Sequence, residues 1–404
     1  MQTEVIPRVG HIKSPFLPIS ETFIYGYISH LKRYQPVVIS EYLMNQDQFP
    51  VEHFITHRSA GQWYEKSLRF LRNWLVGRIP RELIMARFYR QALSRSNILL
   101  IHIHFGVPGM LLTPIKRSVG RPAIVSFYGY DLSQVPRALG EDIYRRTHLF
   151  ETMEAFVVEG NHARQVLMDL GCPEEKITVI HIGVDLNRFD FGERKLGVNE
   201  RPKILFCGRL VPKKGLLCAV RALALVRDRS EEFEFFVIGE GDQGEKAKIL
   251  VGELNLQDRV HFLGSVPYKE LPNWYRKCHI LVAPSMTVQE TGETEGGAPT
   301  VLLEAQATGL PVVSTTHADI PEVVQNGRAG LLSKEGDVEG LAGNLLSLLQ
   351  HPEKWAEMGR AGRLNMEREY DIVHQTEHLE RLYDQLLCSS SPPVDSVPYK
   401  TVSC

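Results

Sequence analysis

The sequence predicts an α/β protein of two doubly wound parallel-sheet domains, and three observations predict it. The chain has 404 residues, whereas single hydrophobic cores stop growing near ~250–300 residues. Short β-branched or apolar runs alternate with amphipathic stretches, the pattern of parallel strands covered by helices on both faces. The alternation is interrupted by the polar segment DLNRFDFGERKLGVNERP at 185–202 and then restarts.

In the first half PVVIS (36–40), ILLIHIHF (98–105), AIVSF (123–127), AFVVEG (155–160) and ITVIHIG (177–183) read as strands, with helical stretches such as TFIYGYISHLKRY and NHARQVLMDLG between them. Segment 185–202 reads as a linker. The second half repeats the pattern with KILFCGRL (203–210), FEFFVIGEG (233–241), RVHFLG (259–264), HILVAPS (279–285), PVVSTT (311–316) and AGLLS (329–333). The expected domains are 1–190 and 191–369. A helical run covers 353–388, and its part from about 370 is expected to pack back on the first domain. The tail at 389–404, SSSPPVDSVPYKTVSC, is rich in serine and proline without periodicity and is expected to be disordered.

A hydrophobic share of 43% and a charged share of 23% fit a globular protein and exclude a disordered or fibrous one. Up to position 190 there are 22 basic and 18 acidic residues, and after it 24 and 30. That asymmetry is too small to imply a nucleic-acid partner, and there is no zinc-ligand spacing or Lys/Arg run to support one. Six scattered cysteines without a C-x-x-C pair fit a reduced compartment. Neither a signal-peptide h-region nor an apolar run of membrane-spanning length is present, so a cytoplasmic protein is expected, with peripheral contact to the inner face of a membrane left open.

Doubly wound sheets bind ligands at the carboxyl ends of their strands. GRLVPKKGL (208–216) follows the first strand of the second domain. Gly208 and Gly215 permit tight turns there, and Arg209 and Lys214 can converge on one anion such as a diphosphate; the alternative is a solvated basic turn. TGETEGGAPTVLLEAQATGLPVV (291–313) follows another strand. Its helix is expected to start near Thr300, which puts Glu304 about one turn in, where a carboxylate can accept both hydroxyls of a ribose. Glu293 and Glu295 lie in the loop before it, within reach of a second polyol or simply solvated.

In this order and spacing these segments resemble the retaining glycosyltransferases of family 4 in the sequence-based classification, which have the GT-B fold. GRLVPKKG is similar to that family's G-R-x-x-x-x-K-G, VLLEAQATGLPVVST to its E-A-x-A-x-G-x-P-V-V, FVIGEGDQ to its strand-turn, and GCPEEKITVIHIGVDLNRF to its segment ending in G-V-D and F. The resemblance covers most of the chain. It implies a UDP- or GDP-sugar donor held mainly by the second domain, with a glycan, lipid-linked or glycolipid acceptor entering from the first. Arg209 and Lys214, with Gly208, would hold the diphosphate as it leaves. Glu304 would hold the ribose. Glu295 would hold donor-sugar hydroxyls beside the backbone of Gly297 and Ala298, next to Pro299 and Thr300.

Two departures from the family pattern stand out. The family spaces its glutamates as E-x7-E, and the matching position here is Gly296, so Glu295 serves only if the turn bulges; Glu293 is the substitute. In SFYGYDLS, Tyr128 stands where the family commonly has a histidine that touches the sugar and steadies positive charge; a tyrosine can donate a hydrogen bond but carries no such charge. Asp131 matches the family and is a candidate for contacting sugar or acceptor.

The acceptor side is less informative. Ser20 reads as an N-cap with Glu21 and Thr22 in the first turn, or as a phosphate contact. His102 and His104 alternate onto one side of a strand, where they pack, line a cleft or, given a third ligand, bind metal. Residues 61–96 carry eight Lys or Arg against two Glu with Trp63, Phe70, Trp74 and Phe88 interspersed, which suits either a helical pair packed on the sheet or an anionic membrane surface. No metal or other cofactor is expected, because the chain has no D-x-D. Besides the transferase, the sequence admits a sugar-nucleotide-binding protein of the same fold with weakened turnover, since Tyr128 and the shifted glutamate both fall at the reactive end. A nicotinamide dehydrogenase is disfavoured, because neither domain's first strand leads into G-x-G-x-x-G.

Overall fold

The structure, a computed structural model, describes residues 6–57, 81–229 and 231–389. The first sheet has seven parallel strands, β1 (Arg8–Ile12), β2 (Gln35–Ser40), β3 (Phe54–Thr56), β4 (Ile98–His104), β5 (Ala123–Ser126), β6 (Ala155–Val158) and β7 (Ile177–Val179), in the order β3-β2-β1-β4-β5-β6-β7. The second has six, β8 (Lys203–Cys207), β9 (Glu234–Ile238), β10 (Val260–Gly264), β11 (Ile280–Ala283), β12 (Val312–Thr315) and β13 (Gly330–Ser333), in the order β10-β9-β8-β11-β12-β13. The sequences explain the placement. The central runs AIVS of β5 and ILVA of β11 are buried at every position, as strands covered by helices on both faces must be. In each sheet the strand order reverses beside the first strand, at β1/β4 and β8/β11, and this opens a crevice at the carboxyl ends.

Strand β1 is central to its sheet, yet no apolar run announced it. Gly10 and His11 interrupt its pattern, and both have a packing reason. A Cβ on Gly10 would come 3.0 Å from the Ile98 side chain of β4, and His11 is fully buried.

After the helix Trp355–Glu369 the chain crosses to the first domain through paired backbone bonds, Val184 N–H to Tyr370 O at 2.8 Å and Ile372 N–H to Val184 O at 3.1 Å. The helix Ile372–Ser389 then lies against the helix Thr22–His30. Leu379 and Leu382 are buried there, each contributing about 1.5–3 kcal/mol relative to exposure. The Glu380 carboxylate accepts the backbone N–H groups of Lys32 and Arg33. Residues 58–80, most of the basic segment considered for membrane contact, and 390–404, nearly all of the expected tail, lie outside the described residues. Among the described residues no helix is long and apolar enough to cross a membrane.

The domains also meet directly. The helix Asn161–Asp169 of the first domain has no side-chain cap of its own. Its first N–H groups are satisfied from the second domain, His162 N–H by Asp319 at 2.7 Å and Asn161 N–H by Glu322 at 3.1 Å. Gly160 makes room, since a Cβ there would lie 2.3 Å from the Asp319 Cγ.

Candidate active site in the interdomain cleft

A cleft of about 940 Å³ opens between the carboxyl ends of the two sheets. On the second-domain side, β8 runs into Gly208 (φ 146°) and a 3-10 turn, Pro212–Lys214, before the helix Leu216–Asp228. Gly215 (φ 71°) is required at that junction, because a Cβ would lie 2.0 Å from the Pro284 carbonyl oxygen. Arg209 is exposed to the cleft. Lys214 Nζ stands 2.8 Å from Glu295 Oε1, while Lys213 Nζ lies 3.1 Å from Glu293, 3.8 Å from Glu295 and donates to the Thr294 carbonyl at 3.0 Å. Burial would raise the Glu295 carboxyl, but Lys214 and Lys213 outweigh it and hold it below the ordinary carboxylate value. The sequence reading missed Lys213. Two adjacent lysines were visible, but only the 3-10 turn shows that both face the loop.

The helix Thr300–Ala307 begins where the sequence placed it, with Pro299 at its N-cap and Glu304 buried one turn in. Tyr275 donates to Glu304 Oε2 at 2.7 Å. Burial pushes the Glu304 carboxyl up to about 7, against Tyr275, Arg188 and Tyr268. The Gly-Gly turn does two things at once. Gly296, Gly297, Ala298, Pro299 and Thr300 all line the cleft. The turn is also where the domains touch: a Cβ on Gly296 would lie 2.1 Å from the backbone of Gly129, and one on Gly297 2.2 Å from Glu159 Oε2.

On the first-domain side three expectations change. Ser20 is not an N-cap: it sits inside the 3-10 turn Ile19–Glu21, Pro18 precedes that turn in an extended conformation, and the helix starts at Thr22 without a side-chain cap. Ser20 is exposed at the cleft. Glu21 beside it turns instead to Lys13, at 3.1 Å. Burial raises the Glu21 carboxyl, opposed by Lys13 and by Arg209 from across the cleft.

Tyr128 does line the cleft, but its hydroxyl points away from it, to His104 Nδ1 at 3.0 Å, while the ring packs on Phe23 and Phe105. Asp131, placed by sequence as a sugar or acceptor contact, does line the cleft but is fully buried; its carboxylate accepts the Tyr128 N–H at 3.3 Å and serves the helix starts. Burial pushes it up to about 7, against the N–H groups of Gly106, Tyr128 and Val107.

His102 and His104 are joined by His11 of β1, a third histidine that the sequence reading did not connect with them, and ligand atoms of the three lie within 4.8 Å of one another. His11 Nδ1 meets His104 Nε2 at 3.1 Å, and His102 bridges Tyr383 and Ser126, both at 2.7 Å. His11 Nε2 alone has no partner among the described residues. The trio therefore ties the C-terminal helix, through Tyr383, to the cleft floor at Tyr128.

Residues 189–365 match the model of the glycosyl transferases group 1, and residues 39–188 that of glycosyltransferase family 4. An amylovoran biosynthesis glycosyltransferase of Erwinia amylovora is 33% identical over 287 residues, 69% of either chain. A GDP-mannose-dependent alpha-(1-6)-phosphatidylinositol monomannoside mannosyltransferase of Mycolicibacterium smegmatis is 26% identical over 76% of this chain and 82% of its own. A crystal structure of a glycosyltransferase from Rickettsia africae shares the fold with a TM-score of 0.75 at 18% identity, covering 95% of this chain and 99% of that one. Sheet order, the cleft at both switch points and these matches agree: the chain belongs to the GT-B glycosyltransferases of the group 1, family 4 type.

Proposed function

We propose that the protein is a retaining, metal-independent glycosyltransferase that moves a sugar from a UDP- or GDP-sugar to a growing polysaccharide, a lipid-linked glycan or a glycolipid. The observation that carries this reading is the cluster of Arg209, Lys213 and Lys214 with Glu295 and Glu304 at the ends of β8 and β11. Lys214 is paired with Glu295 at 2.8 Å. An incoming diphosphate competes for Lys214, and the exchange frees Glu295 to accept hydroxyls of the attached sugar. Glu304 takes the ribose hydroxyls. The relatives named for amylovoran synthesis and for a phosphatidylinositol mannoside support the acceptor classes, and the second of them supports a GDP-sugar among the donors.

In the proposed transfer the bond from the anomeric carbon to the leaving phosphate oxygen breaks as the acceptor oxygen adds from the same face. That phosphate oxygen takes the acceptor proton. Arg209 and Lys214 stabilise the charge that develops on the diphosphate, so rate comes from positioning and electrostatics rather than from a protein nucleophile. The chain has no D-x-D to hold a divalent ion on the diphosphate. Thermal unfolding with UDP, GDP and ADP tests the donor class, since a ligand at about 100 times its Kd adds about 2.7 kcal/mol to the native state. One nucleoside diphosphate should raise Tm, and its sugar donors should be consumed equally with and without chelator. No shift with any of the three, or loss of turnover on chelation, would overturn the reading.

A further inference from the structure

Glu295 follows an excursion of the chain that leaves β11, doubles back at a bridge between Val288 and Glu293, and reaches the Gly-Gly turn. Both ends of that excursion converge on one pair of side chains. Glu335, in the turn after β13, accepts the Thr287 N–H on Oε2 at 2.7 Å and the His317 ring on Oε1 at 2.7 Å. His317, after β12 and only 2% exposed, meets the Glu295 N–H with Nε2 at 3.0 Å. The backbone N–H can only donate, so Nε2 must be the bare nitrogen and Nδ1 must carry the proton that Glu335 accepts. A carboxylate thus fixes a tautomer, and the tautomer fixes a main-chain position.

We infer that Glu335 and His317 are positioning residues that anchor the main chain at both ends of the 287–295 loop and so present Glu295 to the donor sugar; this rests on the proposed sugar-binding role of Glu295. Lys214 at 2.8 Å and the Ser285 hydroxyl at 3.1 Å hold the Glu295 side chain, and the loop tip is held to the first domain through the carbonyls of Glu290, by Arg137 at 3.0 Å, and of Thr291, by Gln134 at 3.4 Å. The Glu335–His317 pair acts instead on the main chain at both ends of the loop, at Thr287 and Glu295. Burial would raise the Glu335 carboxyl, but the Thr287 N–H and His317 outweigh it and keep it below its ordinary value, so it remains an acceptor for both donors. The pair therefore links the ends of the loop that follows β11 to the turns after β12 and β13.

The test compares the affinity of UDP with UDP-glucose, and of GDP with GDP-mannose, by calorimetry on the full chain. The sugar increment is the ratio of the two constants. His317→Leu removes the acceptor, and Glu335→Gln leaves one acceptor oxygen for two donors. Each should reduce the sugar increment roughly tenfold or more while nucleoside diphosphate affinity stays within about threefold. His317→Gln keeps an acceptor in reach and should recover most of the loss. In a Glu295→Ala background neither change should cost anything further, because the pair acts through that residue. Glu335 is one-third exposed, so Glu335→Gln carries the test if His317→Leu does not fold. Equal losses for nucleotide and nucleotide sugar, or no loss in either variant, would overturn the positioning role. If Glu295→Ala keeps the full increment, the sugar-binding role of Glu295 falls; if it loses the increment while both supporting variants keep theirs, the positioning pair alone falls.

Discussion

The two walls of the cleft differ in how many paired charges they carry. The second-domain wall is charged and self-compensated, with Lys213 and Lys214 against Glu293 and Glu295. Apart from the pair of Lys13 and Glu21 at 3.1 Å, the first-domain wall is muted: Tyr128 is engaged by His104, the Asp131 carboxyl is pushed up to about 7, and Glu159 up to about 8. A diphosphate leaving from one side would be repelled by carboxylates ionised on the other. Burial shifts those acids toward the protonated form, and with the tyrosine hydroxyl turned to His104 the first-domain wall opposes the cations of the second domain less. The comparison teaches that paired charges are concentrated after β8 and β11 of the second domain, whereas burial raises the carboxyls where the domains meet.

The largest effect should come from breaking the charged wall. On the proposed mechanism Arg209→Ala and Lys214→Ala each remove a donor preorganised for the departing diphosphate, worth about 10²–10³ in kcat, or about 2.7–4 kcal/mol. Steady-state kinetics should show kcat falling more than KM rises. Lys213→Ala ought to behave differently, raising donor KM as well, because its Nζ also holds the Thr294 carbonyl and so shapes the loop. Identical kinetics for all three variants would mean that the wall acts as a diffuse basic patch.

A smaller and opposite signature is expected from the muted wall. Tyr128→Phe deletes a hydroxyl that faces His104 rather than the cleft, leaving a buried imidazole nitrogen unpaired at a cost of about 1–3 kcal/mol in stability. Turnover at a temperature well below Tm should stay within about threefold of the parent. Denaturant unfolding together with initial rates measures both. A large loss of kcat with unchanged stability would put the hydroxyl on the sugar after all.

These walls also differ in how far the sequence revealed them. Arg209 and Lys214 follow β8 within seven residues, and Glu304 sits one turn into a helix whose start at Thr300 was marked by Pro299, so their place at the cleft was legible from the motifs. All six strands of the second sheet were likewise legible through their apolar runs, whereas β1 and β3 of the first sheet were not. What was hidden depends on contacts between distant positions. His11 joins His104 across 93 residues, and Tyr383 reaches His102 across 281. Lys213 and His317 acquire their places from the backbone of a loop some distance away. Ser20 looked like a cap because serine often is one, but Pro18 shifted the helix start by the length of a 3-10 turn. Local chemistry can be read from spacing; a partner brought in by the fold cannot.

The smallest expected effect is on pH dependence, and it probes the muted wall as a whole. Glu159 lies between the domains, facing Asp319, Glu295, Lys214 and Lys213. Burial first, then Asp319 and Glu295, push its carboxyl from an ordinary 4.5 up to about 8, and burial first pushes Asp319 up to about 6. A raised folded-state value means that the native form binds the proton more tightly than the unfolded chain. Its stability contribution is complete below the ordinary carboxylate range and is lost as pH rises through about 8. The buried histidines work in the opposite sense, because burial lowers His11 to about 3, so their contribution is lost only on acidification below their ordinary value. A scan from about pH 7 to about pH 9 therefore isolates the acids. The Tm of the parent should fall across that range, whereas Glu159→Gln, which cannot ionise, should show a shallower slope and melt a few degrees above the parent at the alkaline end. Equal slopes for parent and variant would mean that Glu159 is already ionised between the domains, and the charge asymmetry between the walls would then need another cause.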